Sequence, residues 1–148
     1  MTSITGGQPT KYASLRILLS GFSKERAVAQ LVTTKLQSYG IRAEVVVPSD
    51  YFKGEDFYGR NPVAAVAMEK REIAGCDFLL VDFDNGKAES LTHMMFAWSM
   101  EKGVVGVTTT YPPGGWVTCH CVGVLPTLEE ALDYLGTFAS SRSSEEST

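Results

Sequence analysis

No stretch of the 148-residue chain is apolar for the ~20 residues that a membrane-crossing helix requires. The first ten residues, MTSITGGQPT, lack the basic and apolar regions of a signal peptide, so a cytoplasmic location is expected. Cysteine is scarce: Cys76, Cys119 and Cys121 are an odd set that builds no disulfide framework, and reduced thiols are expected. Basic residues are outnumbered 13 to 17, giving a net charge of −4, which argues against nucleic acid or an anionic membrane as the main partner and leaves a small ligand. There is no GxxxxGK[ST] loop and no GxGxxG after the first strand pattern, which excludes the usual signatures of triphosphate hydrolysis and dinucleotide binding. Nothing implies a cofactor.

What is present is the composition of an ordinary globular domain, 44% hydrophobic and 20% charged, in a length that suits one domain. Residues 1–14 are rich in Gly, Ser and Thr without apolar period, and residues 140–148 have no apolar residue, so both are expected to be disordered around a single domain at 15–139. Within it, β-rich runs alternate with helix-period segments. That pattern predicts a doubly wound, mainly parallel five-stranded α/β sheet with flanking helices, flavodoxin- or Rossmann-like.

The expected strands are 15–20 (LRILLS), 41–47, 77–82 (DFLLVD), 104–108 and 117–124. The first helix is expected from an N-cap at Ser23 to a stop at Gly40, with Ala27, Val28, Leu31, Val32, Leu36 and Tyr39 on its buried face. Pro62 opens a second helix that runs to about Gly75. A third, over 87–102, puts Leu91, Met94, Met95 and Trp98 on one core stripe. Thr127 and Glu130 form a capping box for the last, whose Leu128, Ala131, Leu132, Leu135 and Phe138 face inward. Residues 49–61, polar and aromatic between Pro48 and Pro62, read as a long loop that acts as a flap, with Tyr51, Phe52, Phe57 and Tyr58 able to stack on a ligand or to cover the core edge.

In such sheets ligands bind beyond the carboxyl ends of the strands. That selects Ser20, Gly21 and Phe22 after the first strand, residues 82–89 after the third and 108–116 after the fourth. Asp82, Asp84, Asn85, Glu89 and His93 concentrate polar groups after the third strand, either as ligand contacts or as a solvated, capped turn. Glu89 and His93 are four apart and share a helix face. A carboxylate there can serve as nucleophile or base, or Glu89 can simply complement the helix N-terminus, and spacing does not separate the two. Cys119, His120 and Cys121, on a strand, would alternate faces and could not share one ion, so they read as small core thiols and no metal site is expected.

From about residue 15 to 135 the arrangement resembles the nucleoside 2-deoxyribosyltransferase family and its hydrolase relatives. LRILLSGF is similar to that family's first strand and loop, with Phe22 where proline is common. Glu69, Ile73, Cys76 and Asp77 in MEKREIAGCDFLLVDFD, and the shape of NGKAESLTHMMFAWSMEKGVVGV, are similar as well. Counting back from Ala97 and Lys102 puts His93, not a carboxylate, at the family's nucleophile position, with Glu89 one turn earlier. Either Glu89 does the work or the site only binds.

The resemblance implies a carboxylate, Glu89, attacking the anomeric carbon of a nucleoside or nucleoside monophosphate, with transfer to a base or to water. It further implies Glu69 on sugar hydroxyls, Ser20, Gly21 and Phe22 lining the pocket, and Asp82 or Asp84 orienting or protonating the base. Asn85 lies in the same polar turn. Ser90, Thr92 and Lys87 would meet a phosphate, and the expected assembly is a homo-oligomer.

Overall fold

The computed structural model describes residues 14–51 and 61–147, with the side chains of Tyr51, Lys87 and residues 141–147 outside the description. The expected N-terminal tail and most of the aromatic flap, residues 52–60, lie outside the described residues. Five strands, β1 (Ser14–Ser20), β2 (Arg42–Val46), β3 (Phe78–Asp82), β4 (Gly103–Val107) and β5 (Gly123–Leu125), form one sheet in the order β2-β1-β3-β4-β5. Every pairing is parallel, so the expected doubly wound α/β architecture is present. Among the described residues no helix is long and apolar enough to cross a membrane.

Side chains alternate along a strand, and in β1 this decides the layering. Leu15, Ile17 and Leu19 join the core beneath α1 (Glu25–Gln37) and α6 (Leu128–Ser147). Leu18 joins the opposite core with Ile73 of α3 (Pro62–Gly75) and Met94 and Ala97 of α4 (Phe83–Ser99). Ser20 has the parity of Leu18 and therefore lies on the α3/α4 side. β3 is buried on both faces, as expected of a central parallel strand. At the other end of the sheet, Arg16 pairs with Glu44 and Glu72 at 2.6 and 2.9 Å, and its backbone N–H donates to Asp77.

Several local expectations are corrected. Lys24, not Ser23, is the N-cap of α1, without a side-chain cap, and Leu31 is 54% exposed rather than buried. Pro48 opens a short helix, α2 (Pro48–Tyr51), instead of a loop. α4 begins at Phe83, four residues early, because Asp82 caps it: its carboxylate accepts from the N–H groups of Asp84 and Asn85 at 3.1 and 3.3 Å. The stripe of α4 that faces the sheet is Ser90, Met94 and Ala97, whereas Leu91, Met95 and Trp98 are about two-fifths exposed.

The expected last strand, 117–124, is a strand only at its end. α5 (Gly115–Cys119) takes its first three residues and β5 is only three residues long. Cys119 is exposed and His120 stacks on Trp116, ring centroids 5.5 Å apart, whereas Cys121 packs against the core beside Met94, so of the expected pair of core thiols only Cys121 is one. α6 is capped as expected, Thr127 accepting from the N–H of Glu130 at 3.1 Å, and Ala131, Leu132 and Leu135 are buried. Its helical backbone continues through most of the segment read as a tail.

Candidate functional site

The strand order reverses direction between β1 and β3, where this topology opens a crevice at the carboxyl ends. β1 ends there in Ser20 and turns through Gly21, whose φ of 90° suits glycine. A Cβ on Gly21 would stand 2.6 Å from both the Asp82 carbonyl and Ser90 Oγ, and one on Gly86 would stand 2.8 Å from the Gly21 Cα. The first turns of α4 therefore lie directly on the β1 turn. The Asn85 amide donates to the Gly21 carbonyl at 2.5 Å and fastens the contact.

Three side chains from three elements meet beside this turn. Ser20 Oγ lies 2.8 Å from His93 Nδ1, and His93 Nε2 lies 3.1 Å from Glu69 Oε2. A carboxylate only accepts, so in the neutral ring Nε2 donates to Glu69 and Nδ1 is left to accept from the Ser20 hydroxyl. Placement follows from period. Glu69 sits four residues from each of the buried Ala65 and Ile73, and His93 lies one turn beyond buried Ser90. The side chains of His93 and Glu69 are 17% and 12% exposed, so the chain of contacts is held largely away from water.

Two cavities meet at Glu69 and His93 of this group. One, about 320 Å³, is lined by Ser20, Gly21, Glu25 and Pro48 together with Glu69, Glu89 and His93. The other, about 220 Å³, lies between α3 and α4, where Val66, Lys70, Ile73 and Phe96 complete a wall begun by the same Glu69, Glu89 and His93. The larger falls within the range of small-molecule sites. Glu89 is exposed at the junction and makes no hydrogen bond among the described residues, unlike Glu69.

The structure thus brings together Ser20, Gly21, Phe22, Glu69, Asn85, Glu89, Ser90 and His93 around the larger cavity. Two of these are occupied structurally: Ser90 is fully buried, with its hydroxyl 3.5 Å from the Asp82 carbonyl, and Asn85 holds Gly21. Asp82 serves as helix cap. Asp84 faces away from the cavity toward β4, accepting from the Thr108 hydroxyl at 2.7 Å and from the Thr109 N–H and hydroxyl, each at 2.8 Å. Those donors, Thr108 first, hold its carboxyl below the usual range. Sequence reasoning missed Glu25, Pro48, Val66, Lys70 and Phe96. Only the position of Glu25 in the first turn after the Ser20 loop could have signalled one of them.

No family model matches the chain, and no curated protein matches it. Solved structures do resemble it in fold. A conserved protein from Enterococcus faecalis V583 superposes with a TM-score of 0.60 at 12% identity, covering 81% of this chain and 96% of its own. A 2-deoxyribosyltransferase from Bacillus psychrosaccharolyticus gives 0.60 at 15% identity, over 80% of this chain and 91% of its own. A putative pilus assembly-related protein from Burkholderia pseudomallei K96243 gives 0.52 at 15% identity, over 88% and 92%. At identities this low the superpositions show a shared fold alone.

Proposed function

We propose that the cleft beyond β1 and β3 binds a nucleoside or nucleotide and that the protein cleaves or transfers its N-glycosidic bond. The observation that carries this reading is Glu89, a carboxylate with no hydrogen-bond partner among the described residues, at the junction of two cavities and beside a second carboxylate, Glu69, that is already engaged with His93. The fold shared with a 2-deoxyribosyltransferase adds support. Glu89 attacks the anomeric carbon, forming a C1′–O bond as the C1′–N bond breaks; the electron pair leaves with the base, which takes a proton from water at the open mouth. Water or an incoming base then displaces the carboxylate. Glu69 holds sugar hydroxyls, kept in place by His93 and Ser20.

One observation favours a second reading, a module that binds the same ligand without chemistry. Glu89 is exposed, and the position one turn further in is His93, already bonded at both nitrogens. Incubation with a 2′-fluoro-arabino nucleoside, followed by peptide mass mapping, separates the two. A fluorosugar adduct on Glu89 is expected of the enzyme. Intact protein with retained ligand binding supports the binding module.

A further inference from the structure

The contacts among Ser20, His93 and Glu69 have a direction. Nδ1, the accepting nitrogen of the ring, lies 2.8 Å from the Ser20 hydroxyl, while Nε2 donates to Glu69 at 3.1 Å. A hydroxyl bonded to a base that a carboxylate in turn orients is the arrangement of an activated nucleophile, recognised by geometry and not by chain order. A hydroxyl that needs only a structural partner finds one in a backbone carbonyl, as Ser38, Thr92 and Ser99 do here. Ser20 bonds instead to a group that can take its proton. It ends β1, is 3% exposed and lines the larger cavity, so a substrate meets it there. Gly21 and Phe22 follow it along the same wall.

We propose that Ser20 is a second nucleophile of this cleft and that the protein hydrolyses short-chain carboxylic esters through it, with His93 as base and Glu69 as the positioning residue. This goes beyond the N-glycoside reading, does not rest on it and uses a different attacking atom. Ser20 Oγ bonds to the ester carbonyl carbon as its proton passes to His93 Nδ1 and the carbonyl electron pair moves onto oxygen. Glu69 holds the ring by Nε2 and balances the positive charge the ring gains. The residue after such a nucleophile commonly gives its N–H to the oxyanion, a role that falls here to Gly21. The electron pair then returns, the bond to the alcohol oxygen breaks, and that oxygen takes the proton from His93. Water repeats the sequence on the acyl group: it gives a proton to Nδ1 and bonds to the carbonyl carbon, and Ser20 Oγ leaves and recovers the proton. The products are a carboxylic acid and an alcohol. A cavity of about 320 Å³ is at the small end of ligand sites, which restricts the acyl group to a few carbons.

Two measurements on the full chain test this: peptide mass mapping after treatment with an alkyl fluorophosphonate, and release of p-nitrophenol from its acetate and octanoate esters by wild type, Ser20→Ala and Glu69→Gln. The labelling uses the wild type and so depends on no variant folding. The expected results are a phosphonyl adduct on Ser20, acetate turned over about tenfold or more faster than octanoate, and a fall to the buffer rate in Ser20→Ala. Glu69→Gln should lower kcat about hundredfold or more while KM holds, a split that a merely structural role would not produce. An unlabelled Ser20, or release that persists undiminished in Ser20→Ala, overturns the proposal and leaves the three side chains as a tie between β1, α3 and α4. Octanoate turned over as fast as acetate overturns the short-chain assignment.

Discussion

His93 Nε2, on α4, lies 3.1 Å from Glu69 Oε2, on α3, so one contact joins the two helices that wall the cleft. Cutting His93 back to alanine leaves Glu69 and Ser20 each short of a partner in a largely dry setting. The expected cost is about 1–3 kcal/mol in urea unfolding, against less than about 0.5 kcal/mol for the exposed neighbour Thr92→Ala. Equal effects would mean that the contact contributes nothing to the fold.

Gly86→Ala is expected to be damaging for a different reason. The new Cβ would fall 1.6 Å from Ser90 Oγ and 2.8 Å from the Gly21 Cα, which forces α4 away from β1 at a cost of about 1–3 kcal/mol. Adding Ser90→Ala removes the hydroxyl clash but not the backbone one, so only part of the melting temperature should return. Full recovery would show that the close approach of Gly21 and Gly86 is not needed.

Asp84 ties α4 to β4, and its stabilising effect depends on pH. Its folded pKa is lowered from the ordinary value of 3.8, so the ionised form favours the fold. That stability is complete above the unfolded value and is lost as pH falls through the folded one. The urea midpoint of Asp84→Asn should therefore lie below wild type at neutral pH, and the difference should close below pH 3.8. A pH-independent difference would contradict this.

The three thiols should react in a fixed order. Cys119 is exposed, while burial pushes Cys76 up to about 11 and Cys121 to about 12. At pH 8, iodoacetamide followed by mass mapping should find Cys119 modified first. Early labelling of Cys76 would signal opening of the core beneath α3.

The sheet was legible because its strands are short apolar runs, and the period of β1 already assigns Ser20 to the side of Leu18. The site residues were legible as positions after strands. Their roles were not, because the Glu69 to His93 contact depends on how α3 crosses α4. The buried face of α4 was misread for a physical reason: it approaches β1 through Gly86 and Ser90, small residues that carry no hydrophobic signal, so Leu91, Met95 and Trp98 dominated the pattern from the outer side. The segment 117–124 has the β-branched look of a strand, yet the two glycines before it start α5 and leave only Gly123–Leu125 to pair with β4.

Chromatography of free base released from a panel of nucleosides and their monophosphates, with and without an acceptor base, tests the N-glycoside reading most directly. The account predicts base release by the wild type that disappears in Glu89→Gln while the thermal melt is unchanged. No release from any substrate, or release that persists undiminished in Glu89→Gln, would contradict it.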